Sequence, residues 1–219
     1  MPSAKKRKML QQRRRRQQWR VWGTVAAVVA ALALVAVATS LRGTDRTDAG
    51  GQTRPVSVAE AALPAFAGSG DDLAIGMAAP TLTGRSFDGA PVTIDPGSTG
   101  SPTAIWFVAH WCPHCQAEVP RIVSLAEGGQ IPDGIDVYAV STSTNPSAPN
   151  YPPSAWLADA RWPFPVMADD VRGSAGAAYG LGSFPFLVVT DGDGNVIGRH
   201  EGELGEAGIS QMLGRLANA

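Results

Sequence analysis

Apolar residues in the C-terminal part of the chain follow two patterns that alternate along it. A continuous apolar run of strand length occurs at residues 103–109, and further strand candidates lie at residues 135–140, 164–168, 186–190 and, after the turn at residues 191–195, 196–200. Helical spacing of apolar residues, or a proline suited to a first helical turn, predicts helices over residues 112–127, 152–157, 174–179 and 206–217. These elements predict an α/β domain in which a βαβα unit is followed by a ββα unit.

A longer apolar stretch near the N-terminus, residues 21–41, contains no charged residue and is bracketed by Arg20 and Arg42. At about 1.5 Å per residue it would span roughly 30 Å, the thickness of the hydrocarbon core of a bilayer. We expect an uncleaved transmembrane anchor that contacts membrane lipid. A cleaved signal peptide is the alternative, since an A-x-A-like site precedes Thr39, but the run is longer than the usual apolar region of such peptides.

Basic residues are concentrated before this stretch. Nine of the 18 lysines and arginines lie at positions 1–20, and no acidic residue precedes Asp45. Positive charge beside a membrane span favours the cytoplasmic side, so we expect a basic cytoplasmic tail at residues 1–20 and an extracytoplasmic location for everything after the anchor, in a bacterial envelope. The rest of the chain is acidic, so we expect no nucleic-acid binding.

Composition divides the part after the anchor in two. Residues 42–71 are rich in Gly, Thr, Asp, Ala and Ser, which predicts a flexible linker with a short helix at residues 56–63. Residues 72–219 have the size of one ordinary domain.

The only two cysteines, Cys112 and Cys115, are separated by two residues at the start of a predicted helix. A bridge across so short a link closes almost no loop, so the pair is more suited to reaction than to stabilisation. A cysteine in the first turn of a helix has its thiolate stabilised by unpaired backbone N–H groups and the helix dipole. This predicts Cys112 as the nucleophile, and Cys115, one turn further along, as the resolving cysteine of a redox disulfide.

Residues 111–120 read WCPHCQAEVP, which resembles the W-C-x-x-C-x-x-E-x-P signature of TlpA-like membrane-anchored thioredoxins. Further similarity to that family lies at residues 75–80, 86–89, 179–180, 184–186 and 193–197. The resemblance implies a thioredoxin-like fold, with a central mixed sheet flanked by helices, preceded here by one transmembrane helix. It also implies a thiol:disulfide oxidoreductase that needs no cofactor.

Three other residues of the motif are candidates for tuning the cysteine pair. Pro113 suits the first helical turn, and His114 can add favourable contacts to the Cys112 thiolate, as in the same dipeptide of DsbA-type oxidants. Glu118 matches a family glutamate proposed to assist proton transfer with the buried cysteine, and the alternative is a solvated helix carboxylate. The dipeptide favours an oxidant and the Glu118 signature a reductase. The physical argument favours a couple more oxidising than cytosolic thioredoxin at ~−270 mV.

The substrate side of the pair is expected to include Pro185, Phe184 and Trp111. Pro185 matches the thioredoxin cis-proline, whose backbone flanks the active cysteine and pairs with substrate. Phe184 differs from the smaller or β-branched residue usual before this proline, and Trp111 is the expected aromatic cover. His110 either tunes the thiol or caps the strand end, and His200 is expected to be structural.

Several alternatives remain beside the oxidoreductase. The proline-rich residues 145–153 form either a rim near the active site or an inert connection. Two cysteines and three scattered histidines do not form a spaced ligand set, so no metal site is expected. A peroxiredoxin-like thiol peroxidase and a non-catalytic, membrane-tethered binding module are the rival functions. For an oxidoreductase, the expected partners are thiol- or disulfide-bearing protein clients and a membrane electron donor or acceptor.

Overall fold

The computed structural model describes residues 51–68 and 70–216, which include one mixed sheet with helices against it. The strands, in chain order, are β1 Ser57–Val58, β2 Leu82–Arg85, β3 Pro91–Ile94, β4 Thr103–Val108, β5 Asp136–Ser141, β6 Val166–Ala168, β7 Phe186–Thr190 and β8 Val196–Glu201. The helices are α1 Pro113–Glu127, α2 Pro153–Asp159, α3 Ser174–Ala178 and α4 Gly205–Leu216.

The strands are arranged in the order β1-β2-β6-β5-β4-β7-β8, with β3 paired to β2. Strands β4, β5 and β6 run parallel to one another, whereas β7 is antiparallel to both β4 and β8. Because Phe107 near the end of β4 pairs with Phe186 at the start of β7, the chain that leaves β4 lies beside the chain that enters β7. These two segments carry the cysteines and Pro185.

Strand β4 lies in the middle of the sheet and all six of its residues are buried. Side chains alternate between the two faces of a strand, so Trp106 packs with residues of α1, α2 and α4, while Ile105 and Phe107 pack with Tyr179 after α3. A continuous apolar strand is thus explained by cover on both faces. The observed arrangement agrees with the predicted central mixed sheet flanked by helices.

The predictions for the N-terminal part of the chain have different outcomes. The predicted anchor at residues 21–41 and the basic tail lie outside the described residues, and no helix among those described is long and apolar enough to cross a bilayer. The predicted short helix at residues 56–63 is wrong: Ser57 and Val58 form β1, which pairs antiparallel with β2. The described part of the predicted linker packs against the domain, because its apolar Leu63 is buried.

The β2–β3 hairpin was not predicted from the apolar pattern. Its strands have only four residues each, and buried Gly84 weakens the apolar alternation of β2. The turn dipeptide Asp88-Gly89 is the sequence signal that could have identified it, since Gly89 has a φ of 89°.

Candidate active site

The two cysteines lie at the junction between β4 and α1. Cys112 occupies the N-cap position of α1, and Pro113 follows at the start of the helix, where its missing N–H costs nothing. The Cys112 N–H donates to the carbonyl of Ala109 at 3.0 Å. Both cysteines are free thiols, with Cys112 5% exposed and Cys115 fully buried.

Cys115 lies in an apolar environment that disfavours its thiolate. Its Sγ accepts a hydrogen bond from the Ala109 N–H at 3.5 Å. Burial raises the pKa of the Cys115 thiol well above its ordinary value, and the neighbouring Cys112 and Glu118 raise it further. Cys115 therefore keeps its proton at neutral pH until a reaction partner or a change in its surroundings removes it.

The segment that enters β7 lies directly beside Cys112. The Cys112 Sγ is 3.8 Å from the carbonyl oxygen of Phe184, and the Phe184–Pro185 peptide bond is cis, as the resemblance implies. Trp111 packs edge-on against the Phe184 ring, with centroids 5.8 Å apart, and its indole N–H donates to the Ser143 carbonyl at 2.7 Å. Backbone polar groups and two aromatic rings thus border the Cys112 sulfur.

His114 projects toward solvent and is paired with a carboxylate that the sequence analysis missed. Its side chain is 66% exposed, and its Nδ1 lies 2.7 Å from Oε1 of Glu203. Oε2 of Glu203 lies 2.6 Å from a guanidinium nitrogen of Arg121. Hydrogen bonds from Arg121, and secondly from His114, hold the pKa of the Glu203 carboxyl below its usual value. Because a carboxylate only accepts, the His114 Nδ1 carries the hydrogen.

Glu118 is only 1% exposed, so its alternative interpretation as a solvated helix carboxylate is wrong. Its two oxygens accept the backbone N–H groups of Leu204 at 2.9 Å and Gly205 at 3.2 Å, just where α4 begins. Arg121, one turn further along α1, donates to the same carboxylate at 3.2 Å. Among the described residues, these are its hydrogen-bond partners, and Cys115 is not one of them. Glu118 therefore joins the start of α4 to α1.

Arg121 and Glu203 are the site residues that sequence reasoning did not identify. The spacing of Arg121 three residues after Glu118 is a helical pairing signal that could have identified the first of them. Glu203 lies 82 residues from Arg121, and no local pattern connects the two.

His110 is fully buried and fixes the loop that follows β5. Its Nδ1 donates to the Pro149 carbonyl at 2.8 Å, and its Nε2 accepts the Asn145 N–H at 3.2 Å. Its own carbonyl accepts from the side chains of Gln116 and Asn150. His110 thus holds the proline-rich loop against the segment before Cys112, so this loop forms a rim beside the site.

Comparison with known proteins identifies the family. A sequence model described as the AhpC/TSA family matches residues 75–199, more than half of the chain. The chain belongs to the AhpC/TSA family. The match includes both cysteines, Glu118 and Pro185, and ends before Glu203.

Individual relatives agree with this assignment over part of their length. The thiol:disulfide interchange protein DsbE of Pasteurella multocida is 32% identical over 107 residues, which make up 49% of this chain and 54% of that protein. DsbE of Haemophilus influenzae is 30% identical over 127 residues, 58% of this chain and 65% of that protein. The chain thus spans between about half and two thirds of these relatives.

A solved structure confirms the fold. The thioredoxin domain of a thiol-disulfide oxidoreductase from Bacteroides vulgatus matches with a TM-score of 0.51 at 19% identity, covering 65% of this chain and 97% of that domain. The predicted thioredoxin-like fold is therefore correct for the domain.

Proposed function

We propose that the protein is a thiol:disulfide oxidoreductase that exchanges disulfides with protein clients through Cys112 and Cys115. The observation that carries the proposal is the placement of two free thiols at the N-terminus of α1, with the Phe184 carbonyl and Pro185 beside the Cys112 sulfur. The family match over residues 75–199 includes both cysteines and Pro185, and relatives named as thiol:disulfide interchange proteins also match the chain.

In the reducing direction, the Cys112 thiolate attacks one sulfur of a client disulfide. The client S–S bond breaks, a Cys112–client bond forms, and the other client sulfur leaves and takes up a proton. Cys115 then loses its proton and attacks the Cys112 sulfur, which releases the second client sulfur and leaves a Cys112–Cys115 disulfide. Two electrons and two protons have passed to the client. The reverse sequence oxidises a client dithiol.

Each neighbouring residue has a part in this scheme. Pro113 starts the helix whose N-terminus stabilises the Cys112 thiolate, and His114 tunes that thiolate from the exposed side. Glu118 places a carboxylate near Cys115, where it assists removal of the resolving cysteine's proton indirectly, because its hydrogen bonds are made elsewhere.

On the opposite side of the site, Pro185 and Phe184 offer backbone groups to an extended client segment. The ring of Phe184, with that of Trp111, contacts client side chains. The T-shaped pair of these rings forms an apolar border at the cysteine.

We further propose that residues 21–41 anchor the protein in the membrane of a bacterial cell, with the N-terminus cytoplasmic and the catalytic domain extracytoplasmic. A membrane electron donor or acceptor would then reset the cysteine pair. A periplasm-type reporter fused after Ala219 should be active and remain with membranes. A soluble product that begins near Thr39 would show that the segment is cleaved.

The roles of the two cysteines are tested by trapping. Cys115→Ala should accumulate mixed disulfides with clients, because the resolving attack is lost, whereas Cys112→Ala should accumulate none. The mixed disulfides of both variants are measured on non-reducing gels, before and after treatment with a reductant. Equal trapping by the two variants would refute the assignment.

Peroxide consumption and reaction with protein disulfides, both measured on the same variants, distinguish a thiol peroxidase from an oxidoreductase. A peroxidase would consume hydrogen peroxide through a sulfenic acid on Cys112 and would show no preference for protein disulfides. The presence of a second thiol three residues further along the chain favours disulfide exchange, since peroxide reduction through a sulfenic acid does not require that spacing.

A further inference from the structure

Glu203 is the link between the exposed and the buried parts of the redox site. One of its oxygens accepts the Nδ1 hydrogen of His114, and the other pairs with Arg121. Arg121 in turn pairs with Glu118. Four ionisable side chains therefore form a continuous chain from the residue between the cysteines to the buried carboxylate near Cys115.

The position of Glu203 is held by its neighbours in sequence. Glu118 accepts the N–H groups of Leu204 and Gly205, the two residues that follow Glu203. This contact fixes the start of α4 against α1, so the Glu203 carboxylate lies where His114 can reach it. The contact with His114 is thus built into the packing of the two helices.

We propose that Glu203 is a positioning residue that occupies His114 and makes the Cys112/Cys115 couple more reducing than the Pro-His dipeptide alone would make it. The proposal rests on the thiol:disulfide exchange function proposed above. The proposal explains why α1 carries both the Pro113-His114 dipeptide typical of oxidants and the Glu118 signature typical of reductases. Glu203, which lies outside this motif, moderates the effect of the dipeptide.

Two physical effects act in the same direction. The hydrogen that His114 could donate to a Cys112 thiolate is donated to Glu203 instead. The negative charge of Glu203, 2.7 Å from the ring, also offsets the positive charge of a protonated His114, which would otherwise favour a thiolate at Cys112. Both effects make the Cys112 thiolate less favourable, which destabilises the reduced form of the pair and lowers the reduction potential.

The experiment is a glutathione redox titration of the full chain, followed by mass spectrometry of alkylated protein. We compare the wild type with Glu203→Gln, which removes the charge and leaves the His114 hydrogen only a weaker, neutral amide acceptor. The matched control is Glu206→Gln, an exposed carboxylate three residues further along, in the first turn of α4. A double variant, Glu203→Gln with His114→Ala, is compared with His114→Ala alone.

Glu203→Gln should shift the dithiol/disulfide equilibrium about three- to tenfold toward the dithiol, which is ~15 to 30 mV toward a more oxidising couple. Glu206→Gln should leave the equilibrium unchanged. In the His114→Ala background the effect of Glu203→Gln should fall to less than half. The shift should also shrink at ~1 M salt, because the pair is exposed.

An unchanged equilibrium in Glu203→Gln would overturn the proposal, and so would a shift toward the disulfide. An equal effect in the presence and absence of His114 would also overturn it, since Glu203 would then act without that histidine. These results leave the exchange function intact. A wild type that forms no reversible Cys112–Cys115 disulfide would refute the exchange function itself.

Discussion

His114 stands between the two cysteines in sequence, yet its Nδ1 hydrogen is directed to Glu203. The part of the imidazole that can still favour a Cys112 thiolate is therefore limited to its charge and its other nitrogen. At this scale the chemistry of the pair depends on which neighbour holds each polar hydrogen. The same holds for Cys115, whose buried sulfur accepts one backbone N–H and lies beside the Cys112 thiol.

His114→Pro tests the contribution of the histidine. Proline is tolerated in the first turn of a helix, so the fold should be unaffected. Loss of what remains of the His114 contribution, its charge and its other nitrogen, worth at most roughly 1.5 kcal/mol, should make the couple more reducing by at most about 30 mV. The reduction potential, measured by the same glutathione titration, checks this. A potential that is unmoved, or that rises, would show that His114 does not stabilise the thiolate.

The sequence allows the cysteines and the residues between them to be predicted, because their roles follow from position on one helix. Pro185 follows from the resemblance. Glu203 could not be predicted, because its contact with Arg121 depends on how α4 packs against α1. The burial of Glu118 could not be predicted for the same reason. Its position on α1 follows from the local sequence, but the residues that bury it lie at the start of α4.

Among the elements, the side chain of His110 joins the segment that precedes α1 to the loop after β5. His110 donates to Pro149 and accepts from Asn145, and its ring meets Tyr151 edge-on at 5.9 Å.

Long strands and helices were predicted within a few residues, because they carry strong apolar patterns. The short β2–β3 hairpin and β1 were missed, because strands of two to four residues carry little pattern and are stabilised by their partners.

His110→Ala should release this loop. Two partly buried hydrogen bonds are lost, so amide hydrogen exchange at residues 145–150 should rise about tenfold or more while β4 and β7 stay protected. His200→Ala, a half-buried histidine on β8, is the matched control and should leave that loop unchanged. Amide hydrogen exchange is measured by mass spectrometry. Equal protection of residues 145–150 in the two variants would contradict the account.

At the scale of the whole domain, a buried ion pair attaches the segment before β2 to the far edge of the sheet. The Arg199 side chain is fully buried and donates to the Asp72 carboxylate, and it also donates to the carbonyls of Pro64 and Tyr179 at 2.8 and 2.9 Å. Its guanidinium lies 5.2 Å from the centre of the Phe66 ring. Residues that composition assigned to a linker are thereby part of the folded domain.

Asp72→Asn should destabilise the domain by about 3 kcal/mol at pH 7, because a buried guanidinium loses its counter-charge. The hydrogen bond from Arg199 lowers the pKa of Asp72, so its contribution is present above the unfolded pKa near 4 and is lost as pH falls through the folded value. Urea unfolding at pH 7, 5 and 3 should show the difference from wild type shrinking only at the acidic end. Asp71→Asn, at an exposed neighbour, should cost little, and a pH-independent difference for Asp72→Asn would contradict this account.

The central claim is that Cys112 and Cys115 form one reversible two-electron couple, and the redox titration of the unmodified chain tests it most directly. In glutathione buffers of graded composition, mass spectrometry should show a single transition in which both thiols disappear together. Its midpoint should lie above the ~−270 mV of thioredoxin. Thiols that are lost independently of each other, or a chain that stays in one form across the whole range, would contradict the claim.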